Sequence, residues 1–583
     1  MIEFIGHAAS EGISVGRCNL LEKYYFKVPR YSILKEDVVQ ETGKLEKAIN
    51  KTKGYFNDIK AQSMNKVEKE HLFIFDVYLM LLDDDKYTGE ALRLIEEKLI
   101  NAEYAILLVT SKIIKSFRSL ENEYFRERKN DIESITMKLI NEMRGDKSDK
   151  FYEAHEDEII VSFDLSPYEA TMLINKKILG FVTEKGSKVS HTSILARSIG
   201  IPYVVGIAGI IDKIDNGQII ILDGFNGKVI VDPDEDVLKL YKQKERRYRN
   251  YIKELSKLKD EDVKTLDGVH INIYTNIEIN EEIKMSNDYN AEGIGLYRTE
   301  FMYLKAGDIS EDEQFNILKG AIQKNRGKPL FVRTFDLGGE KLNNILPHPK
   351  EENPALGLRA IRYSLKYEDF FKKQIKAILR ASAFGDVRIM IPMISGIEEI
   401  RQAKEIIERV KKELGEQNDS QLKFKSDIPV GVMVEIPSLA IIAGLAAKEV
   451  DFFSVGSNDL IQYTLGIDRG NENVSYLYRP THLAFLFLLE RILKAAEKNN
   501  IEATVCGEIA GEPKYIAVLL GLGYKSLSMS PSSILRAKMI IKRLSIVDCK
   551  KMVKKLQKNK IARKSEEDLE IFIEKYASDV YFH

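Results

Sequence analysis

A chain of 583 residues is too long for one hydrophobic core, and its length predicts three or four domains. Its 88 Lys and Arg against 89 Asp and Glu leave no basic footprint for nucleic acid, and 44% hydrophobic residues are ordinary for a water-soluble globular protein. The apolar runs fall well short of a membrane span, so no membrane insertion is expected.

The opening residues, MIEFIGHAASEG, lack the basic segment and apolar core of a signal peptide. The three cysteines, Cys18, Cys506 and Cys549, are odd in number and far apart, which argues against a disulfide framework. Together these predict a cytoplasmic protein. Residues 1–30 and 146–232 read as α/β, with the short β-branched runs EIIVSFD, ILGFVTE, QIIILDG and KVIVDP bounded by Gly, Asp or Pro. Between them, residues 31–145 change period. Leu45, Ile49, Phe56 and Ile59 recur at helical spacing, as do Ile132, Ile135, Leu139 and Met143. Proline is absent from 34 to 145, so helices packed as hairpins are predicted, inserted in the α/β part.

Within 183–205, TEKGSKVSHTSILARSIGIPYVV, one of only eight histidines follows a small-residue turn and opens an amphipathic segment. This is His191, between Ser190 and Thr192. Residues 233–262 are highly charged with apolar positions Leu238, Tyr241, Tyr248, Ile252 and Leu255, which reads as a connecting helix with one adhesive face.

From 263 to 583 eight strand-like runs alternate with helical segments: VHINIYTNI, GIGLYRTE, PLFVRTFD, VRIMIPMI, VGVMVEIP, FFSVGSND, EATVCGEI and KSLSMSP. That is the rhythm of a (β/α)8 barrel, whose chemistry lies at the C-terminal ends of its strands. Charged residues gather there: Arg298 and Glu300, Arg333 and Asp336, Glu435, Asn458 and Asp459, then Cys506 and Glu508. Arg298, Arg333, Arg359 and Arg469, with Lys341, offer fixed cationic donors, and guanidinium forks match carboxylate and phosphate oxygens. Glu435 and Asp459 on neighbouring strands supply two hard oxygen ligands suited to Mg2+. An anionic substrate carrying phosphate and carboxylate follows from this donor set. Cys506 stays open between a buried small hydrophobe and a catalytic acid.

Seven stretches resemble the motifs of the phosphoenolpyruvate-protein phosphotransferase family, Enzyme I of the bacterial sugar phosphotransferase system. They are SHTSILARSIGIPYVVG, GIGLYRTEFMYL, RTFDLGGEK, NPALGLRAIR, VMVEIPSLA, DFFSVGSNDLIQYTLGIDRGN and VCGEIAGEP, in that order. The likeness runs from ASEGISVG to SMSPSSILRAKMIIK. It implies a multidomain α/β protein: a swivelling phosphohistidine domain (1–30 and 146–232) with an inserted helical-hairpin subdomain (31–145) that docks the carrier protein HPr. A linker helix (233–262) and a (β/α)8 TIM barrel (263–583) would follow, the barrel binding phosphoenolpyruvate and carrying a homodimer interface. His191 would take the phosphoryl group of phosphoenolpyruvate and pass it to a histidine of HPr, the first step of sugar phosphotransfer. Neutral imidazole is a nucleophile suited to that task. Arg298, Arg333, Asn458 and Arg469 would hold the substrate, Glu435 and Asp459 the Mg2+, and Cys506 would protonate the enolate carbon as pyruvate forms. The alternative is a divergent paralogue that senses phosphoenolpyruvate or serves a different carrier.

Departures from the family pattern cluster around the histidine and the helical insert. GSK-V-SH (Ser187, Lys188, Val189) stands for GGR-T-SH, Ala170 for a threonine, Glu11 for a proline and Tyr78 for a histidine; in the barrel Leu483 stands for a proline. Ser187 gives up a glycine's backbone freedom. Ser190 and Thr192 are expected to donate to phosphoryl oxygens at a helix start near Thr192. Phe73, Phe75, Tyr78 and Leu79 are expected to leave part of the insert's apolar surface outward, rimmed by the acids at 83–85 and by Glu68, Lys69 and Glu70, with Tyr78 reshaping the carrier's docking surface.

Overall fold

Short β-branched runs and long periodic ones sort this chain into two kinds of layer. The computed structural model describes residues 1–21, 28–63, 73–118, 123–145, 155, 157–188, 190–280, 282–306, 309–337, 351–416, 423–469, 471 and 473–577. They form two units, Met1–Tyr251 and Ile252–Tyr581.

The first unit holds one eight-stranded sheet. Its strands are β1 Ile2–Ile5, β2 His7–Ser10, β3 Ile13–Leu21, β4 Glu158–Ser162, β5 Gly180–Thr183, β6 Tyr203–Val205, β7 Ile219–Asp223 and β8 Lys228–Val231. Their spatial order is β1-β8-β7-β3-β4-β5-β6-β2, with β3 to β6 parallel and the other pairs antiparallel. The two edge strands are separated in the chain by Gly6 alone, so the sheet curls until its edges meet. A Cβ on Gly6 would lie 2.6 Å from Val205 O, which reserves that corner for glycine.

Alternation along the strands feeds two cores. Cys18, Ile159, Val161, Val182, Val204 and Leu222 pack on one face. Ile160, Phe181, Tyr203 and Val205 on the other join Leu165, Leu173, Leu195 and the helical insert in one continuous cluster. The insert comprises α1 Val38–Ser63, α2 Phe73–Asp83, α3 Glu90–Lys98, α4 Ala102–Arg118 and α5 Glu123–Arg144. Two further helices, α6 Pro167–Asn175 and α7 His191–Ile199, lie within the α/β part, and α8 Glu235–Lys257 follows β8. Tyr241 and Tyr248 carry the adhesive face of α8: the Tyr241 hydroxyl donates to Asp223 at 3.3 Å, and Tyr248 meets Phe225 edge to face.

Here one expectation fails. Tyr78 is 1% exposed, wedged between Phe56 and Phe75 with ring centroids 5.4 and 6.1 Å away. It is core, because α2 turns Phe75 and Tyr78, three residues apart, onto one face. Among the described apolar side chains of that helix the exposed one is Met80, at 69%. Glu68, Lys69 and Glu70 lie outside the described residues, and so does the side chain of Phe73.

In the second unit all eight sequence runs become strands: β9 Asn272–Ile277, β10 Ile294–Arg298, β11 Leu330–Arg333, β12 Val387–Ile391, β13 Val430–Val434, β14 Phe452–Val455, β15 Glu502–Cys506 and β16 Ser526–Met529. Every neighbouring pair is parallel and β16 closes on β9, so this is a closed (β/α)8 barrel. Tyr274, Leu296, Phe331, Met390, Met433 and Phe452 fill its interior together with Cys506.

Candidate active site

Strand register sets the first donors of the barrel mouth. Arg298 and Arg333 are the last residues of β10 and β11 and pair in register, so two guanidinium groups leave adjacent strands at one level. Arg298 is held by Glu278. Arg333, 9% exposed, sits between two carboxylates, with Nη2 donating to Glu300 Oε1 and Nη1 ion-paired with Asp336 Oδ2, both at 2.9 Å. Asp336 also accepts from Arg359 Nη2 at 2.8 Å, and Arg359 Nη1 donates to the Tyr463 hydroxyl at 3.3 Å.

Burial works against the charge of Arg333, but Glu300 and Asp336, with Glu435 and Asp459 behind them, outweigh it and hold its pKa above the ordinary arginine value. The same balance, with Asp336 the leading acid, raises Arg359. The Nε atoms of Arg298, Arg333 and Arg359 are buried without a hydrogen-bond partner among the described residues. Three such donors at one mouth suit an anionic ligand.

Asn458 and Arg469 converge on one acid. Asn458 Nδ2 and Arg469 Nη1 both donate to Glu508 Oε1, at 3.2 and 2.9 Å, and the Glu508 amide donates to Asn458 Oδ1 at 3.2 Å. A cavity of about 380 Å3 lined by Arg469, Ser475, Tyr478 and Glu508 adjoins them. Lys341 lies outside the described residues.

Glu435 follows β13 and is 1% exposed; its Oε1 accepts the Met393 amide at 2.6 Å. Met393 takes the left-handed conformation, φ 56°, which a side-chain-bearing residue adopts only under constraint. Burial, then the like charges of Asp459 and Asp336, push the Glu435 carboxyl well above its usual range. A cation beside it would relieve that repulsion. A Cβ on Gly456 would come 2.6 Å from Glu435 Oε2, so glycine there keeps space for the carboxylate. Among the described residues no group of three or more His, Cys, Asp or Glu is placed to hold a metal. Glu435 with Asp459, from the first turn of Ser457–Leu465, is thus a two-carboxylate set. It fits an ion such as Mg2+ that takes its remaining oxygens from substrate and water.

Cys506 ends β15 and is 4% exposed; the Ser454 hydroxyl lies 2.9 Å from its sulfur. Burial raises the thiol to about 11, with Ser454 opposing and Glu435 reinforcing the shift, so the sulfur keeps its proton at neutral pH. Ser454 was missed from sequence. Its only signal is a small polar residue inside the apolar run FFSV, and its pairing with Cys506 depends on the register of β14 against β15.

His191 is the first residue of α7, one position earlier than expected. Ser190 caps the helix, its oxygen accepting the Ser193 amide at 3.2 Å while its hydroxyl donates to Ser193 Oγ at 2.9 Å. Thr192 is 3% exposed and gives its proton to Leu165 O at 2.8 Å, so it is a buried tether and no phosphoryl donor. Ser187 costs no strain, because the positive φ of the turn, 119°, belongs to Gly186. Lys188 is exposed, and Val189 lies outside the described residues.

Comparison with known proteins assigns this assembly of parts. Models of PEP-utilising enzymes match in three pieces: the N-terminal domain over residues 5–128, the mobile domain over 154–227 and the PEP-binding domain over 252–546. The phosphoenolpyruvate-protein phosphotransferase of Priestia megaterium is 41% identical over 547 residues, 94% of this chain and 95% of that protein. This chain belongs to the phosphoenolpyruvate-protein phosphotransferase family. The Bacillus subtilis phosphoenolpyruvate-protein phosphotransferase is 39% identical over 546 residues, covering 94% of this chain and 95% of that one. A solution structure of an Enzyme I protein, 32% identical, matches 42% of this chain and 99% of its own with a TM-score of 0.38.

Proposed function

We propose that this chain moves the phosphoryl group of phosphoenolpyruvate to His191 and then to a histidine of the carrier HPr, releasing pyruvate, in the cytoplasm. The observation that carries the reading is the barrel mouth: Arg298, Arg333 and the protonated thiol of Cys506 end their strands, Glu435 and Asp459 follow theirs, and Arg359 and Arg469 come from the connections beyond. Arg298, Arg333 and Arg359 bind the phosphate and carboxylate oxygens through guanidinium groups that Glu278, Glu300 and Asp336 hold in place. Asn458 and Arg469 complete the grip. Glu435 and Asp459 would hold Mg2+, which when bound offsets the charge on the phosphoryl and enolate oxygens.

The P–O bond of the substrate breaks as an imidazole nitrogen of His191 bonds to phosphorus, and the electron pair stays on the departing enolate. Cys506 then gives its S–H proton to the methylene carbon, yielding pyruvate, and the thiolate is reprotonated from water. At the carrier stage the N–P bond of His191 breaks as the carrier's imidazole attacks. The helical insert supplies the docking side, where Met80 is exposed beside the acids Asp83 and Asp85. Tyr78 takes no part in this surface, since its ring is buried.

Labelled phosphoenolpyruvate with Mg2+ tests the first half-reaction. Wild-type protein should acquire an acid-labile, base-stable label and hand it to added HPr, and His191→Ala should acquire none. Persistence of that label in the variant would sink the assignment.

A further inference from the structure

Gln374 lies on the helix Glu368–Ser382, far in sequence from both strand ends that hold Arg333, and is 1% exposed. A buried primary amide is expensive unless all its groups are used. Its oxygen accepts the Phe335 amide at 2.9 Å, and its nitrogen donates to Thr299 Oγ1 at 3.2 Å. Thr299, 1% exposed, passes its own proton to the carbonyl of Arg333 at 3.0 Å.

The direction of each bond is forced. A backbone N–H can only donate, so the atom facing Phe335 is Oε1; the Thr299 hydroxyl already donates to a carbonyl, so it can only accept from Nε2. Glutamine satisfies both. Glutamate offers two acceptors and would take the Thr299 proton away from Arg333 O.

The two contacted residues immediately precede the two acids that clamp Arg333. Thr299 is followed by Glu300, and Phe335 by Asp336, each 2.9 Å from a different nitrogen of the guanidinium. Asp336 also holds Arg359. Phe335 is fixed from its other side by rings of Tyr303 and Phe370, at 5.0 and 4.9 Å.

The geometry points to Gln374 as a positioning residue for the anion grip: it ties the ends of β10 and β11 together so that Glu300 and Asp336 hold the Arg333 fork, and through Asp336 that of Arg359, in the orientation that receives substrate oxygens. This rests on the reading that Arg333 binds substrate. Gln374 itself touches no substrate and acts through the two acids.

The experiment is steady-state pyruvate release by the full-length protein, with Gln374→Met, Arg333→Lys and the double variant compared. Gln374→Met keeps the volume and removes the amide; it should raise KM for phosphoenolpyruvate by about tenfold, with a smaller change in kcat. Arg333→Lys, which loses the fork, should raise KM by at least as much. In the double variant the effects should not multiply, because once the fork is gone its orientation no longer matters. If Gln374→Met fails to fold, Thr299→Val, which deletes one hydroxyl, carries the same KM and coupling expectation.

An unchanged KM in Gln374→Met, or effects that multiply in full in the double variant, makes Gln374 a packing residue and overturns the proposal. An unchanged KM in Arg333→Lys overturns instead the reading of Arg333 as a substrate ligand, and the proposal with it.

Discussion

A thiol near a developing carbanion is useful only if it still carries its proton, and at Cys506 burial provides for that. The ordinary thiol loses its proton near 9.0, whereas this one is held up to about 11. The sign is direct: a raised pKa moves deprotonation to higher pH, so Cys506 stays an acid through the range in which an exposed cysteine would fail. The rate of pyruvate formation should therefore show no alkaline limb assignable to this thiol near 9. Cys506→Ser puts a far weaker acid at the same place and should slow pyruvate release by roughly 10²–10⁴-fold, with KM for phosphoenolpyruvate little changed. Rapid-quench measurement of pyruvate against pH checks both. Wild-type turnover by the serine variant would reduce Cys506 to a filler of the barrel interior.

Elements are joined in this chain by side chains that the sequence does not announce. Asp267 is one. Its Oδ1 accepts the Thr265 hydroxyl at 2.6 Å and the Ile546 amide at 3.1 Å, while Oδ2 accepts the Val547 amide at 3.2 Å. It thereby caps the helix Ile546–Leu556 from 279 positions away in sequence. Burial alone would raise its carboxyl, but these bonds win and lower it to about 2. A depressed carboxylate contributes stability above its unfolded value of 3.8, and that contribution fades as pH falls toward 2. Asp267→Ala should thus cost about 1 kcal/mol near neutrality and progressively less below 3.8, read by denaturant unfolding at several pH values. A deficit independent of pH would point to lost packing.

The same scale separates what the sequence made legible from what it hid. The eight barrel strands were readable because each apolar run ends in turn residues and polar strand ends. In the first unit β4, β5, β7 and β8 were readable for the same reason. β2 was not, since HAAS holds no β-branched residue and owes its strand geometry to pairing with β6. Periodicity gave the insert's helices but not their rotation, which is why Tyr78 was placed outward when it faces Phe56. The arginines and acids at the mouth could be named, yet their pairings could not: Glu300 and Asp336 around Arg333, and Glu508 between Asn458 and Arg469, follow from register and loop course. Cys506 was visible, whereas Ser454 beside it was not.

At the scale of the molecule, the division of the chain carries its own consequence. Glu435, Asp459, Cys506 and the arginines of the mouth all belong to Ile252–Tyr581, and every strand of the barrel is supplied by that unit. Among the described residues, its closed sheet is built of β9 to β16 alone. A protein consisting of residues 252–583 should therefore fold alone, bind phosphoenolpyruvate in a Mg2+-dependent manner and acquire no label, lacking His191. The same piece should associate in pairs. Ile441, Leu445 and Phe487 are 52, 57 and 53% exposed on helices Pro437–Ile441, Ala443–Ala446 and Leu483–Lys498, and the Arg491 side chain bonds Ile441 O at 2.5 Å to hold two of them together. Three large apolar side chains on neighbouring helices suit a self-complementary contact about a twofold axis. Calorimetry with and without Mg2+, repeated on Glu435→Ala, reads the site; sedimentation of the wild type and of Leu445→Asp reads the contact. Binding that ignores Mg2+, or that keeps its full metal dependence after Glu435→Ala, would remove Glu435 and Asp459 from the metal site. A wild-type piece that sediments as a monomer at all concentrations would remove the helix patch from the dimer, and leave the substrate site standing.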